Sequence, residues 1–528
     1  MFSRRIWSHC FLLASFVIFS VGLAGADSEV REFRGGSLDF YFSASSSILF
    51  GPGAHSAGMG GTYYTPGNGS NALFWNPAGL GFIETSEMRF DVSPPLIINP
   101  SDFVDVQQEI NDAVDGVIKD MSPDNKRNTI IDEMRRDGRL SYPEFSAKGG
   151  LPGGFNSGSA ALVLRDMALG VGVYHPLTLE LKAVATGFRI VMENTEVSGG
   201  DTTITKFLVN TDASINLNVG LNTTSFSLAR NITKDWTVGI SADRYDTKVL
   251  VSANFDNQGM MSSTARGEET FGDPNAGWLG PGKRNDLEAF VSGDLQNTSW
   301  GMKVGTALRV TKSLGFDAFL NIPPSQLVMT DKVRISYSSL DALNLEAEEG
   351  EDILDTSRLI LSQLTRTKNT TYTSEYLRLN LPRSLTLGTH LRAGFFTLAL
   401  NYSQYSGSLS LDYRCKEQRA ITPPPSASSR DDSLATSYRA YSEGFTPKSS
   451  FRVGMDFGVF RLGGGAIIGD EVSSGFKEDD QPREPQTGMI LPFFSTGLTV
   501  PLKENLKMGM VLAGLPMTAL RISVNYNF

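Results

Sequence analysis

The chain ends in Leu520-Arg521-Ile522-Ser523-Val524-Asn525-Tyr526-Asn527-Phe528. Successive side chains of a strand point to opposite sides, so Leu520, Ile522, Val524, Tyr526 and Phe528 share one face and Arg521, Ser523, Asn525 and Asn527 the other. An apolar face closing on two aromatics fits the lipid side of a membrane barrel, with Tyr526 and Phe528 in an interfacial girdle. An edge strand of a soluble sandwich shows the same alternation, so the rest of the chain must decide.

Working back from the end, the same period recurs from about residue 156 onward. Phe396, Leu398, Leu400 and Tyr402 alternate with Thr397, Ala399, Asn401 and Ser403. Val333, Ile335 and Tyr337 alternate with Lys332, Arg334 and Ser336, and Trp236, Val238, Ile240 and Ala242 with Thr237, Gly239, Ser241 and Asp243. Ile215, Leu217, Val219 and Leu221 alternate with Asn216, Asn218, Gly220 and Asn222. Turn-forming clusters such as 231–235 separate the runs. The strands continue over several hundred residues, beyond one sandwich, and their polar face is mostly Asn, Ser, Thr and Gly. That is the pattern of an antiparallel transmembrane barrel whose polar face lines the lumen.

Composition agrees. Of 528 residues only 20% are charged, while there are 53 Gly, 32 Phe and 15 Tyr. Disorder is excluded by the apolar and aromatic content. Helical membrane spans are excluded because no apolar run of about 18 residues follows the leader. A net charge of −10 without a basic block argues against nucleic acid as a partner.

Residues 1–26 read as a secretory signal peptide. Arg4 and Arg5 precede the apolar stretch 11–23, and Ala24-Gly25-Ala26 supplies an A-x-A cleavage pattern. Cleavage removes Cys10 and leaves Cys415 alone, so no intramolecular disulfide is expected. Two segments break the strand pattern. Residues 101–136 carry helical spacing at Phe103, Val106, Ile110, Val114, Val117 and Met121, and residues 341–366 are acidic and then helical. Both are expected as small helical inserts at a barrel mouth. The stretches 421–433 and 469–486 read as polar loops.

Residues 53–83 are GAHSAGMGGTYYTPGNGSNALFWNPAGLGFI. Gly58, Gly60 and Gly61 permit close backbone approach, and Pro77 fixes its own φ while pushing Asn76 towards an extended conformation. A compact, irregular segment of this kind ahead of a barrel could fold inside the lumen.

This organisation resembles the FadL-type family of outer-membrane transporters for long-chain fatty acids and other hydrophobic compounds. The resemblance rests on Gly53–Gly61 and Asn76-Pro77-Ala78-Gly79. Val173-Tyr174-His175-Pro176, Ser225–Arg230, Leu381-Pro382 and Asn401-Tyr402-Ser403 support it, as does Phe528. It implies a bacterial outer-membrane barrel of about 14 strands, with 16 left open, over residues 85–528. It implies a hatch over 27–84, capture of a hydrophobic ligand, and lateral release into lipid. Gly58, Gly60, Gly61, Phe74, Trp75, Asn76 and Pro77 would shape and gate the hatch. The terminal Tyr526 and Phe528 resemble the signal read by the barrel assembly machinery. Similar barrels serve in secretion machines, so a docked partner protein is the alternative.

Chemical motifs give little. Ala54-His55-Ser56-Ala57-Gly58 resembles a nucleophile elbow, but that turn needs a strand before it and a helix after it, and a Gly-Pro-Gly turn precedes this one. Residues 277–283 match G-x-x-x-x-G-K, yet Arg284 replaces the required Ser or Thr. His55, His175 and His390 lack ligand spacing, and the acidic run 346–352 reads as a solvated loop. No catalytic group, metal or cofactor is expected.

Overall fold

The computed structural model describes residues 28–46, 51–94, 96–98, 106–120, 122, 125–151, 153–198, 200–264, 267–271, 287–329, 334–339, 368–421, 433–474, 487–503, 505–514 and 519–527, except 66 and 68. The signal peptide, the insert at 341–366, the motif at 277–283 and Phe528 lie outside the described residues.

The chain opens with β1 (Ser28–Arg34) and β2 (Ser37–Ser46), then α1 (Ala54–Gly58) and two 3-10 turns over Gly69–Phe74 and Pro77–Phe82. The wall follows. Its first stave is β3 (Glu87–Ser93) continued by β4 (Leu96–Ile98). After α2 (Val106–Asp120), α3 (Ile130–Arg136) and β5 (Leu140–Ser141), the second stave is β6 (Glu144–Leu151) with β7 (Gly154–Leu164). Three long strands come next, β8 (Met167–Ser198), β9 (Asp201–Thr233) and β10 (Trp236–Ser263), the last paired with the short β11 (Gly267–Phe271). The sixth stave is β12 (Leu287–Arg309). The seventh is broken at Pro323-Pro324 into β13 (Leu314–Ile322), β14 (Gln326–Met329) and β15 (Arg334–Ser339). The eighth joins β16 (Lys368–Asn380) to β17 (Arg383–Ala393), and the ninth joins β18 (Phe396–Ser406) to β19 (Leu409–Ile421). The last five are β20 (Ser433–Asp456), β21 (Phe460–Ser474), β22 (Met489–Lys503), β23 (Leu506–Gly514) and β24 (Ala519–Asn527). The segment 469–486 therefore begins as wall, not loop, because β21 keeps pairing with β20 up to Ser474.

The final strand closes the ring. β24 pairs antiparallel with β3, from Ile522↔Val92 to Asn527↔Glu87. Counted as staves, this is a closed 14-strand antiparallel barrel. Closure removes every open edge at membrane level, which is the condition for a sheet to sit in lipid. Arg165-Asp166, Lys234-Asp235 and Gly394-Phe395 make tight turns at one end, while the long connections and tall strands lie at the other. In outer-membrane barrels these ends face the periplasm and the exterior respectively.

The outward face carries an apolar belt. Phe226 and Leu228 on β9, Ile240 on β10, Met302 and Val304 on β12, and Met510 and Leu512 on β23 are exposed, as are Val524 and Tyr526 on the last strand. Their neighbours Ser225, Ser227, Ser241, Lys303 and Arg521 are buried inside. Trp236 and Trp300 mark the two edges. Beyond the belt, the outward face of β10 turns to an Arg244–Asp246 ion pair at 3.0 Å. The apolar stretch Trp236–Ala242 is close to the roughly 9–11 residues that a tilted transmembrane strand needs.

Above the belt the polarity inverts. On β9 the outward residues become Asn222, Asn218 and Asn216, and the inward ones become Leu221, Val219 and Leu217. The Ile215–Leu221 run was expected to turn its Asn side to the lumen. It does the reverse, because outside the membrane the solvent is water and the apolar side must seek the interior. β8 and β9, at 32 and 33 residues, extend far past the belt.

Two further pieces complete this upper region. β2 enters the wall between the second and third staves, parallel to β6 (Ser37↔Glu144) and antiparallel to β8 (Ser37↔Thr186). The direct β7–β8 ladder stops at Ser157↔Tyr174, below the level where Ser46 meets Leu177. The helices α2 and α3 pack Val114, Ile118, Ile130, Ile131 and Met134 against Phe33, Phe188, Ile190 and Met192. Their amphipathic spacing thus covers the extracellular sheet.

Candidate functional site

Residues 51–83 lie inside the barrel, held by side chains from around the ring. The Asn401 amide works like a piece of strand: its Oδ1 accepts from the Tyr63 N–H at 2.6 Å and its Nδ2 donates to the Tyr63 carbonyl at 3.0 Å. Asp317 accepts from the Thr65 hydroxyl (2.6 Å), and Ser495 Oγ accepts from the Gly60 N–H (2.7 Å). Thr237 donates to the Ala78 carbonyl (2.7 Å), and Asp91 accepts from the Ala54 N–H (3.2 Å). Arg452 and Arg521 donate to the carbonyls of Gly61 (2.9 Å) and Gly51 (2.5 Å). An irregular segment leaves its backbone polar groups unpaired, and the wall supplies the partners that regular structure would otherwise provide.

The local conformation follows from residue type. Asn76 is extended (φ −113°), and its Oδ1 accepts from the Ala78 N–H at 3.1 Å, capping the turn that Pro77 starts. Asn76 Nδ2 donates to the Thr306 carbonyl at 3.0 Å. This fit requires glycine opposite: a Cβ on Gly305 would stand 1.9 Å from Asn76 Oδ1, and one on Gly239 would stand 2.3 Å from the Ala78 nitrogen. Gly60 has a positive φ of 70°, and a Cβ there would come 2.4 Å from the Gly464 nitrogen. Gly58 lies against Gly497. Glycine inside a strand marks a close backbone approach, and this signal in Gly239, Gly305 and Gly464 could have located the docking face.

The seven residues singled out from the sequence are thus distributed. Gly58, Gly60, Asn76 and Pro77 seat the segment on the wall. Gly61, Phe74 and Trp75 border a cavity of about 170 Å³. Phe74 packs on Tyr174 at 4.8 Å between ring centres, and the Arg452 guanidinium stands 5.8 Å over the Trp75 ring. Leu221, Tyr245 and Phe319 add to the apolar lining, and Lys303 and Arg452 are its cationic members. Lys303 is neutralised by a buried ion pair with Asp243. At the edge of the cavity, Leu221, Tyr245, Leu327 and Leu379 pack into an apolar cluster contributed by β9, β10, β14 and β16.

Beneath, Tyr64 lies between His55 and His390, with ring centres 5.5 Å from each. Its hydroxyl donates to Asp456 at 3.2 Å. Burial first, and then the charges of Arg461, Arg89 and Lys507, hold His55 well below the ordinary imidazole value, so it is neutral near pH 7. Burial, reinforced by the Asp456 charge, raises Tyr64 above the usual phenol range. The Ser56 hydroxyl donates to the Pro52 carbonyl at 2.8 Å, where it ties a turn. Among the described residues no group of three or more His, Cys, Asp or Glu could hold a metal. The sequence marks Asn401 only as part of the resemblance and Arg521 only as polar-face, and it does not single out Asp317, Arg452 or Asp91, because each of the five meets its plug partner only after closure.

Fold and filled lumen together define a membrane-spanning β-barrel with an internal plug. No protein-family model and no curated protein matches the chain. Solved structures do. A toluene transporter of Ralstonia pickettii, TbuX, is 14% identical, with 91% of this chain and 99% of that one covered, at a TM-score of 0.39. The monoaromatic hydrocarbon channel CymD is 13% identical, covering 91% and 98% at 0.42. A FadL homologue of Pseudomonas aeruginosa is 12% identical, covering 92% and 98% at 0.41.

Proposed function

We propose that the chain is an outer-membrane passage for hydrophobic solutes. The observation that supports this best is the polarity inversion. A water-filled pore keeps a polar lining to its mouth, whereas here the extracellular lumen is lined by Leu217, Val219, Leu221, Tyr245 and Leu379 and leads to a cavity that combines aromatic and aliphatic side chains with a few polar ones. Such a lining favours apolar solutes over ions and sugars, because only they gain by leaving water there.

In this reading the hatch is the lumenal part, residues 51–83, of the expected 27–84 segment, whose first part pairs with the wall as β1 and β2, and Gly58, Gly60, Gly61, Phe74, Trp75, Asn76 and Pro77 shape it. A cavity of about 170 Å³ resembles in size the roughly 150 Å³ engineered cavities that take up benzene. It therefore fits one small ring, or the end of a fatty-acyl chain, rather than a whole long chain. Transport needs no reacting group, and release is lateral. Uptake of radiolabelled oleate and toluene by cells with and without the chain tests the reading. A gain for either solute that is absent for a sugar supports it, and no gain for either overturns it. The second reading, a barrel that docks a partner protein, draws on α2 and α3 over the tall β8–β10 sheet. A stoichiometric companion in detergent extracts together with no solute uptake would favour it.

A further inference from the structure

The strands β8, β9 and β10 run far past the belt, and above it their outward residues pair across into a polar sheet face. One row crosses five strands. Lys148 of β6 lies beside Tyr41 of β2, Tyr41 beside Lys182 of β8, Lys182 beside Asn216 of β9, and Asn216 beside Ser252 of β10. Nearer the belt, Asn218 lies beside Leu250, Gly220 beside Lys248, and Asn222 beside Asp246. Directly paired side chains stand about 4.5–5.5 Å apart, so the rows form one continuous surface. It adjoins the lipid face, because Arg244 on the next row pairs with Trp300 at the upper edge of the belt.

Gly220 is the odd residue in this face. Gly239, Gly301 and Gly305 on the adjoining strands each meet a neighbour that a Cβ would strike, whereas a Cβ on Gly220 would find nothing within 4 Å. A strand glycine with no packing reason leaves room for a ligand to approach the backbone closely. The gap lies beside Lys248 and between the exposed amides of Asn218 and Asn222. The carboxylates around it are engaged: Glu180 holds Lys182 at 2.6 Å, Asp246 holds Arg244 at 3.0 Å, and Asp294 accepts from Gln296 at 3.2 Å. Asp39 and Glu144 lie farther up, beyond Lys148. Lys148 and Lys248 are exposed, and no hydrogen bond or ion pair engages either of them among the described residues. These two cations flank a patch of amides and hydroxyls.

A lipid whose acyl chains lie on Phe226, Leu228 and Ile240 of the belt has its headgroup at this height. A protein partner fits less well, since interface cores are apolar and aromatic, and here amides and hydroxyls hold the centre. Amides and lysines match a phosphorylated sugar: a side-chain amide both donates to and accepts from hydroxyls, and an ammonium group pairs with phosphate. We infer that the outward face of β2, β6, β8, β9 and β10 above the belt binds the sugar-phosphate headgroup of an outer-leaflet glycolipid, with saccharide in the gap at Gly220 and phosphates at Lys148 and Lys248. This rests on the outer-membrane placement given above and not on transport.

The test uses the full chain in detergent with lipopolysaccharide that bears a phosphorylated core, and native mass spectrometry counts the molecules retained. The unmodified chain retains at least one. The double variant Lys148→Glu with Lys248→Glu weakens retention roughly tenfold or more, since loss of one charge-assisted contact already costs a factor of about ten. Gly220→Trp fills the gap and weakens retention to a similar extent, and it decides should the lysine variant fail to fold. Lys234→Glu with Lys312→Glu reverses the same charge at two turns of the opposite end and leaves retention unchanged. Equal loss in that control, or full retention in the lysine and Gly220 variants, overturns the site. Phosphatidylglycerol that displaces the glycolipid at equal concentration overturns the saccharide part, and a companion protein bound in its place overturns the whole. Recovery of the unmodified chain in the inner-membrane fraction overturns the placement itself, which separates that failure from failure of the site.

Discussion

The lower and upper halves of β9 are built on the same alternation and do opposite things. Around Ser225–Leu228 the apolar residues look out and the hydroxyls look in; around Leu217–Asn222 the apolar residues look in and the amides look out. Period two fixes only that the faces differ. Which face is inside depends on the medium around the strand, lipid below and water above. The bottom half is a membrane wall whose inward hydroxyls, amides and charged groups hold the plug, and the top half is a water-exposed sheet around apolar inward side chains. Under the proposed function, a solute that enters from above meets apolar side chains first inside the molecule.

The sharpest way to break this comparison is at the buried pair. Asp243 and Lys303 are both buried among inward side chains. Asp243→Ala leaves the Lys303 ammonium without its counter-charge, and breaking a buried pair in this way costs about 3–5 kcal/mol. Urea unfolding in micelles measures it. A loss below about 1 kcal/mol would show that water reaches this level of the lumen.

Next in size is the lipid face. Leu228→Arg places a charge in the belt, where the cost near the midplane is about 2–4 kcal/mol, whereas Asn218→Arg on the same strand faces water and should be nearly neutral. Equal losses for the two, read from unfolding in lipid vesicles, would refute the inversion.

The plug supplies a pH test. His55 is held neutral by burial and by the nearby cations, so its folded value lies below the 6.5 of a free imidazole. The released segment then binds more protons than the docked one as pH falls below 6.5, so docking is at full strength above that value and weakens below it. Amide exchange of residues 54–65 should accelerate as pH falls from about 6.5 into the acid range. His55→Gln should remove most of that slope. A slope unchanged in the variant assigns the effect to another group.

Much of the barrel is legible in the sequence. The alternation at 236–243, 396–403 and 520–527 sets lipid side against lumen side as observed, because those runs lie at membrane level. The run at 215–222 was misassigned because nothing in its pattern tells lipid from water. The residues that lock the plug were illegible for a different reason. Asn401 and Tyr63 are 338 positions apart, and Arg521 and Gly51 are 470 apart. A lone Asn or Arg on a strand carries no mark of a distant carbonyl. The wall glycines and Pro323-Pro324 were the readable traces, since each removes something a strand normally keeps, a side chain or an N–H.

The smallest expected effect lies one residue from the largest. Arg244 follows Asp243 in the chain but points outward, above the belt, where it pairs with Asp246 at 3.0 Å with 48% of its side chain exposed. Water screens this pair and two long side chains lose freedom in forming it, so Arg244→Gln should cost only about 0–1 kcal/mol. Raising the salt concentration should erase even that difference. The neighbouring substitutions thus separate inside from outside at one height of one strand. If Arg244→Gln proved as damaging as Asp243→Ala, residue 244 would have to be buried, and the belt would have to extend beyond Trp300.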